Sequence, residues 1–360
     1  MRTLTRYLGR EVLAATMVIF VALLSLFAFF DLINELGDVG KGSYGIANAL
    51  TYVALHLPAR AYELFPVSAL IGTLFGISQL VGNSEYTVMR VSGASVLQVG
   101  WAVVRVGIPL AIATFLAGEF VAPPAERLAQ TLRNVARGEG SSVVAQQFAS
   151  GFWFKVNLTF VNVRSVLGDL TLVGVRIYEF DDELRLTRVR TAESGRFVRT
   201  GQWELANVRT TTIGANTASV TTAKEAQWDT VLRPSILTVY QVSPERLELK
   251  TLWDNINVLS DNAQKTSRFE IAFWNKIFYP GAVLAMMIVA LPFAHFQRRQ
   301  GGIGVRIFTG TMIGLMFHLS GRMFSNLGVL NDWPPLFSAA FPLVMFIVLG
   351  VGLMAWIERR

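Results

Sequence analysis

The residues best suited to chemistry or docking lie in Asn83–Ser95, NSEYTVMRVSGAS, a polar segment between two apolar runs. Asn83 or Ser84 can cap a helix there by accepting a backbone N–H, and Glu85 then falls in the first turn, where the helix dipole favours an anion. Gly93 suits the position just past the helix end. Glu85 and Met89 are four apart and share a face, as do Tyr86 and Arg90. A loop between spans needs only a polar turn, so a capped helix of about two turns is a candidate docking element for a soluble partner. A connector that is merely helical has the same spacing.

Catalytic patterns are absent. There are no cysteines, which excludes disulfides, thiolate metal sites and cysteine nucleophiles. The three histidines, His56, His295 and His318, share no helical face by spacing, so no metal site is expected. Gly37-Asp-Val-Gly40-Lys41-Gly42-Ser43 has the wrong glycine spacing for a phosphate loop. No G-x-S-x-G, H-E-x-x-H or paired-carboxylate pattern occurs, and Asp181-Asp182-Glu183 reads as a hairpin turn. An enzyme reading has no residues to stand on, and no cofactor is expected. Any work must draw on a partner ATPase or an ion gradient.

The elements around these residues are those of a membrane protein. Hydrophobic residues make up 52% of the 360, charged residues only 16%, and mean hydropathy is +0.44. The net charge of +7 comes from basic residues flanking apolar runs, not from a dense cationic stretch of the kind nucleic acid requires. Runs near the length needed to cross a bilayer, about 20 residues, fall at 12–30, 64–81, 97–122, 277–296, 303–330 and 333–356. That makes six spans in two groups of three. The fifth is atypical in carrying Arg306, His318 and Arg322. In the third, Arg105 and Glu119 lie toward opposite ends, where each can snorkel. Arg2, Arg6, Arg10, Arg90, Arg105, Arg298, Arg299, Arg306, Arg359 and Arg360 gather at one set of ends, against Lys41 and Arg60 at the other. The positive-inside rule then puts both termini and the 83–95 helix in the cytoplasm.

Between spans three and four lies a polar insert whose texture is that of strands. Phe154, Val156, Leu158 and Phe160 alternate with Lys155, Asn157 and Thr159, and the apolar phase shifts at Val161, as at a bulge or a strand end. Val173, Val175 and Ile177 share a face of the next segment. Many short strands separated by turns indicate a sandwich or jelly roll. The expected fold is membrane α+β, with six transmembrane helices and a β-jelly-roll domain inserted between the third and fourth. Residues 1–125 hold the first three helices with a connector helix at about 84–93, residues 126–269 the β domain and its linking segments, and residues 270–360 the last three helices. Ion coupling is disfavoured, because the other spans lack interior carboxylates. His318 and Arg322 stand four apart on one face, facing either an anionic headgroup or a partner helix.

Taken together, the chain resembles the LptF/LptG family of lipopolysaccharide export permeases over essentially its whole length. The most specific part is Ser84-Glu85-x-x-x-Met89-Arg90-x-Ser92-Gly93, similar to the family's coupling-helix motif. Gly42-Ser43-Tyr44, Gly118-Glu119-Phe120-Val121-Ala122-Pro123, Asn275-Lys276-Ile277-Phe278, Gly304-Val305-Arg306 and Thr309-Gly310 add to it, and the later ones look more like LptG than LptF. The resemblance implies a permease subunit in the bacterial inner membrane, with a periplasmic β domain and both termini cytoplasmic. It implies an LptF-like partner, an LptB-like ATPase dimer that hydrolyses the ATP, and LptC-like and LptA-like bridge proteins. Lipopolysaccharide would be extracted from the outer leaflet and passed to the β domain. By the same resemblance Glu85, Tyr86, Met89 and Arg90 couple to the ATPase. Family members can carry lysines near the external end of span one, where this chain reads Asp31-Leu-Ile-Asn-Glu35-Leu-Gly-Asp38. Lipid phosphates are therefore assigned to Arg133, Arg137 and Arg60, or to divalent ions bridging acids and phosphates. The lipid path is assigned to Phe154, Val156, Phe160 and Ile177. Alternatives are an LptF-type subunit, or a non-transport membrane sensor or scaffold with a ligand-binding external β domain.

Overall fold

In hydrocarbon the backbone must satisfy its own hydrogen bonds, and that constraint turns each apolar run into a helix. The fold is given by a computed structural model that describes residues 2–93, 95–138, 152–156, 158–167, 171–199, 201–214, 217–230, 243–261, 264–296 and 303–359. Its helices are α1 (Arg2–Leu36), α2 (Ile46–Gly82), α3 (Glu85–Val91), α4 (Val96–Leu116), α5 (Ala122–Ala136), α6 (Leu249–Asp261), α7 (Ser267–Phe296), α8 (Ile303–Leu330) and α9 (Pro335–Glu358). Two compact units result: residues 1–40, 45–132 and 267–360 form a helical bundle, and residues 41–44 and 133–266 form a β unit.

Within the bundle α2 and α7 are central. The first packs on α1, α7 and α8, the second also on α4 and α9. The α1–α2 contact is close because glycine permits it: a Cβ on Gly72 would lie 2.3 Å from the Thr16 Cα, and one on Gly76 3.3 Å from the Val12 Cα. The second span is longer than its apolar core suggests. Its helix begins at Ile46 and runs through Pro58 and Pro66, since neighbouring helices make missing N–H groups tolerable in a membrane bundle.

The third span departs from expectation too. Its helix does not stop at Ala122 but passes through a π turn, Ala117–Val121, into α5. Pro123 and Pro124 have no N–H to donate, so the ordinary ladder cannot continue unbroken. The Ala122 N–H instead reaches back to the Ala117 carbonyl, the wider step of a π turn.

Among the described residues, five helical stretches are long and apolar enough to cross a membrane: 6–36, 46–82, 98–136, 267–294 and 335–358. The expected fifth span, α8, is outside that set. Its 28 residues reach about 42 Å, ample for a bilayer, but its glycines and threonines, with His318 and Arg322, dilute its apolarity.

Among its described residues the β unit holds one antiparallel sheet of six strands in the order β1 (Phe152–Val156), β2 (Thr159–Val166), β3 (Leu172–Phe180), β4 (Leu186–Arg199), β5 (Gln202–Ile213), β6 (Ala218–Asp229). Each strand pairs with its sequence neighbours, so the described strands form a meander without the Greek-key crossings of a jelly roll. The buried face carries Val161, Val163, Leu172, Val175, Ile177, Trp203 and Leu205, with Val258 of α6 against them. Asp181 closes the β3–β4 turn. Its carboxylate accepts N–H groups from Arg185 at 2.8 Å and Glu183 at 3.1 Å, and the Arg185 backbone bond holds the carboxyl below its ordinary range.

Helix approach at Gly72 gives the first prediction. Gly72→Val should cost about 1–3 kcal/mol, the usual penalty of overpacking, and lower the unfolding temperature in detergent. Gly352→Ala, where an added Cβ meets nothing within 4 Å, should leave it unchanged.

Candidate functional site

Glu85 opens α3, and its surroundings are specific. The Tyr7 hydroxyl of α1 donates to Glu85 Oε2 at 2.9 Å, while the Asn83 amide lies 3.4 Å from Oε1. Asn83 ends α2, its N–H bonding the Gln79 carbonyl. Ser84, at φ 61°, turns the chain between the two helices. Gly93, at φ 90°, follows α3 in the left-handed conformation its position calls for. The shared-face expectation divides here. Tyr86 is 6% exposed and sits in the core cluster with Leu8, Val12, Val99 and Val103, and Met89 packs partly against it. Glu85 therefore stays accessible while Tyr86 anchors the helix to the bundle. Arg90 lies in α3, and its side chain is outside the described residues.

Acid–base pairs mark the opposite end of the bundle. Arg60 grips Asp31 with two nitrogens at 2.7 Å each and reaches Glu63 at 3.0 Å. The acidic end of α1 is thus answered by Arg60, whose guanidinium is engaged by carboxylates. Glu119 does not snorkel. Its carboxylate lies 2.7 Å from Lys276 Nζ, with side chains only 11% and 7% exposed. His56 Nδ1 is 2.5 Å from Glu126 Oε2, both buried, and Gln130 donates to the other Glu126 oxygen at 2.9 Å. Beside the π turn the Tyr62 ring stacks on Tyr279 at 4.0 Å, and the Tyr279 hydroxyl donates to the Tyr62 carbonyl at 2.5 Å. A Cβ on Gly118 would lie 2.2 Å from the Tyr62 ring.

Arg133 and Arg137 belong to the β unit and are both half-buried. Arg137 meets the loop 41–44. The Ser43 N–H and hydroxyl both donate to the Ala136 carbonyl, at 2.7 and 2.9 Å, satisfying an orphan acceptor at the end of α5. Gly42, at φ 60°, would place a Cβ 2.5 Å from the Arg137 carbonyl oxygen, so only glycine fits. The Arg137 guanidinium lies over the Tyr44 ring at 5.6 Å.

The residues assigned to a lipid path do not share one face. Val156 pairs with Thr159, which ends β1 and begins β2, so the apolar phase shift at Val161 marks a strand end. Phe160 pairs with Lys155 and Tyr178, lies 37% exposed, and meets Phe180 edge-on at 5.5 Å. Ile177, opposite Val161, is 1% exposed on the other face. The register puts Phe154 opposite Val161; the side chains of Phe154 and Val156 are outside the described residues.

Comparison with known proteins decides the family. The profile of "Lipopolysaccharide export system permease LptF/LptG" matches residues 6–356. The chain is similar to the lipopolysaccharide export system permease protein LptG of Haemophilus influenzae, 32% identical over 348 residues, 96% of each chain. It is equally similar to LptG of Escherichia coli K12, 32% identical over 354 residues, 98% of this chain and 97% of that one. Similarity to LptF of Escherichia coli K12, 33% identity, covers 90 residues and a quarter of each chain. This chain belongs to the LptF/LptG lipopolysaccharide export permease family.

In this family member, sequence reasoning missed Tyr7 and the pairing of Lys276 and His56 with buried glutamates. The available signal was depth: Glu119 ends span three and Lys276 opens span four, so an acid and a base come to the same end of the bundle. Removing Lys276 strands a buried charge, and Lys276→Met should destabilise by about 3–5 kcal/mol. Pairing it with Glu119→Leu should restore much of the loss. Thermal unfolding of the two variants in detergent checks both halves of the expectation.

Proposed function

We propose that the chain is the LptG-type permease subunit of an ABC transporter that extracts lipopolysaccharide from the outer leaflet of the inner membrane. The carrying observation is the near-full-length likeness to LptG proteins beside only a quarter-length likeness to LptF. The chain pairs with an LptF-like paralogue, and two LptB-like ATPases supply the energy, since no phosphate loop occurs in its sequence. Its termini and α3 face the cytoplasm, in keeping with the arginine bias. The β unit faces the periplasm, closing as a jelly roll that hands lipid to LptC-like and LptA-like bridge proteins. Glu85, Met89 and Arg90 meet the ATPase, and Tyr86 passes the motion into the bundle. Arg133 and Arg137 hold lipid phosphates through charge-assisted bonds, while Arg60 stays engaged with Asp31. Acyl chains move along the apolar face that bears Ile177.

Glu85→Lys tests the coupling role. Losing one charged partner at a desolvated contact costs about 2–5 kcal/mol, so ATPase recovery or lipid-stimulated hydrolysis should fall while membrane insertion persists. Normal values for both would sink the assignment. Photo-crosslinkers test the path. One at Ile177 should capture lipopolysaccharide only during ATP hydrolysis, and one at Phe160, on the opposite face, should capture little. Equal labelling without ATP would favour a ligand-binding sensor. Arg133→Glu should reduce lipopolysaccharide retention on the purified complex at moderate salt, with basal hydrolysis intact; unchanged retention would remove Arg133 from phosphate binding.

A further inference from the structure

We infer that Tyr7 is a positioning residue for ATPase coupling: its hydroxyl fixes the Glu85 carboxylate in α3 and binds the motion of that helix to α1. The inference rests on the proposed coupling role of Glu85. Three observations carry it. Tyr7 lies 78 residues away from Glu85 in sequence, yet its hydroxyl donates to Oε2 at 2.9 Å. The weaker Asn83 contact, at 3.4 Å, leaves Oε1 the oxygen available to a cation on a docking partner. Leu8 and Val12 of α1 belong to the same core cluster as Tyr86, and Met89 packs against that cluster.

A polar bond therefore joins α1 and α3 beside a core cluster to which both helices contribute. A partly exposed carboxylate on a seven-residue helix has several rotamers, and a partner must order it on binding. The phenol removes part of that freedom beforehand. It also gives α1 a direct grip on the group the ATPase would pull. From there α1 runs past Gly72 and Gly76 of α2 and ends near Asp31, where Arg60 of α2 holds it. A displacement of α3 then reaches the far end of α1 without passing through the connecting loop.

The test uses the whole complex of this chain with its permease partner and ATPase, carrying Tyr7→Phe, Glu85→Lys, Glu85→Ala or the Tyr7→Phe/Glu85→Ala pair. Tyr7→Phe keeps the ring and loses only the hydroxyl. It should leave complex recovery and basal hydrolysis near wild type while lowering lipid-stimulated hydrolysis about three- to tenfold, the worth of one hydrogen bond. The double variant should be no worse than Glu85→Ala alone, because either change removes the same bond. Wild-type stimulation in Tyr7→Phe, or losses that multiply in the double variant, would overturn the inference. If Glu85→Lys itself couples normally, the coupling role of Glu85 fails, and the role of Tyr7 fails with it. If Glu85→Lys uncouples and Tyr7→Phe does not, only the role of Tyr7 falls.

Discussion

A charge inside a bilayer persists only where an opposite charge is built beside it. Three acid–base pairs in this bundle meet that requirement, and each ties together separate elements. Asp31–Arg60 holds α1 to α2, His56–Glu126 holds α2 to α5, and Glu119–Lys276 holds the π turn to α7. Helices in lipid have little hydrophobic drive to associate, because lipid tails are as apolar as leucine. Specific order among them must come from polar pairs and close backbone approach. The structure uses both, with Gly72 and Gly76 bringing α1 against α2 along the same interface that Asp31–Arg60 closes.

Much of this was legible in the sequence. Hydropathy located five of the six expected spans, because a run without charges leaves the backbone no state but helix in a membrane. The 85–91 helix could be read from a polar start, Glu85 and the glycine at 93. Alternation located strands, and the phase shift at Val161 held the β1–β2 hairpin, though a bulge fitted the same letters. Pairing was not legible. The acidic end of α1 reads as a departure from relatives until Arg60, far along the chain, is seen to answer it. Phe160 alternates in phase with Phe154 as one strand, but a hairpin between them reverses the phase and sends Phe160 to the other face. The continuation of span three into α5 was hidden by Pro123 and Pro124, which normally break a helix; a π turn is a tertiary accommodation that propensity does not forecast.

The sheet's two faces differ in chemistry as well as in exposure. One carries aliphatic residues and the fully buried Trp203, with Val258 of α6 against them. The other carries an aromatic row in which Trp153 stacks on Tyr178 at 5.7 Å and Phe160 meets Phe180. Lys155 lies 5.4 Å from the Phe160 ring, and the row remains partly exposed. Aromatic rings with a cation suit a boundary between water and something less polar. Aliphatic side chains suit exchange with acyl chains, since one hydrocarbon replaces another at little cost. Of the two faces, the one bearing Ile177 is the better suited to acyl chains, and the aromatic row to a boundary with water.

On the coupling role proposed for α3, the bundle transmits displacement, and that places demands on stiffness. Tyr86 is buried in a core cluster that also holds α1, α2, α4 and α7 side chains, which ties α3 to the bundle. α1, at 35 residues, spans about 52 Å as one helix with no internal proline. It is pinned by Tyr7–Glu85 at one end and Asp31–Arg60 at the other. α4, by contrast, contains Pro109 and runs into the π turn, both of which weaken its ladder. A push on α3 should therefore travel along α1 as a rigid strut and be absorbed by bending in the third span. On that view the Glu119–Lys276 pair at the π turn sets how far the bend can go.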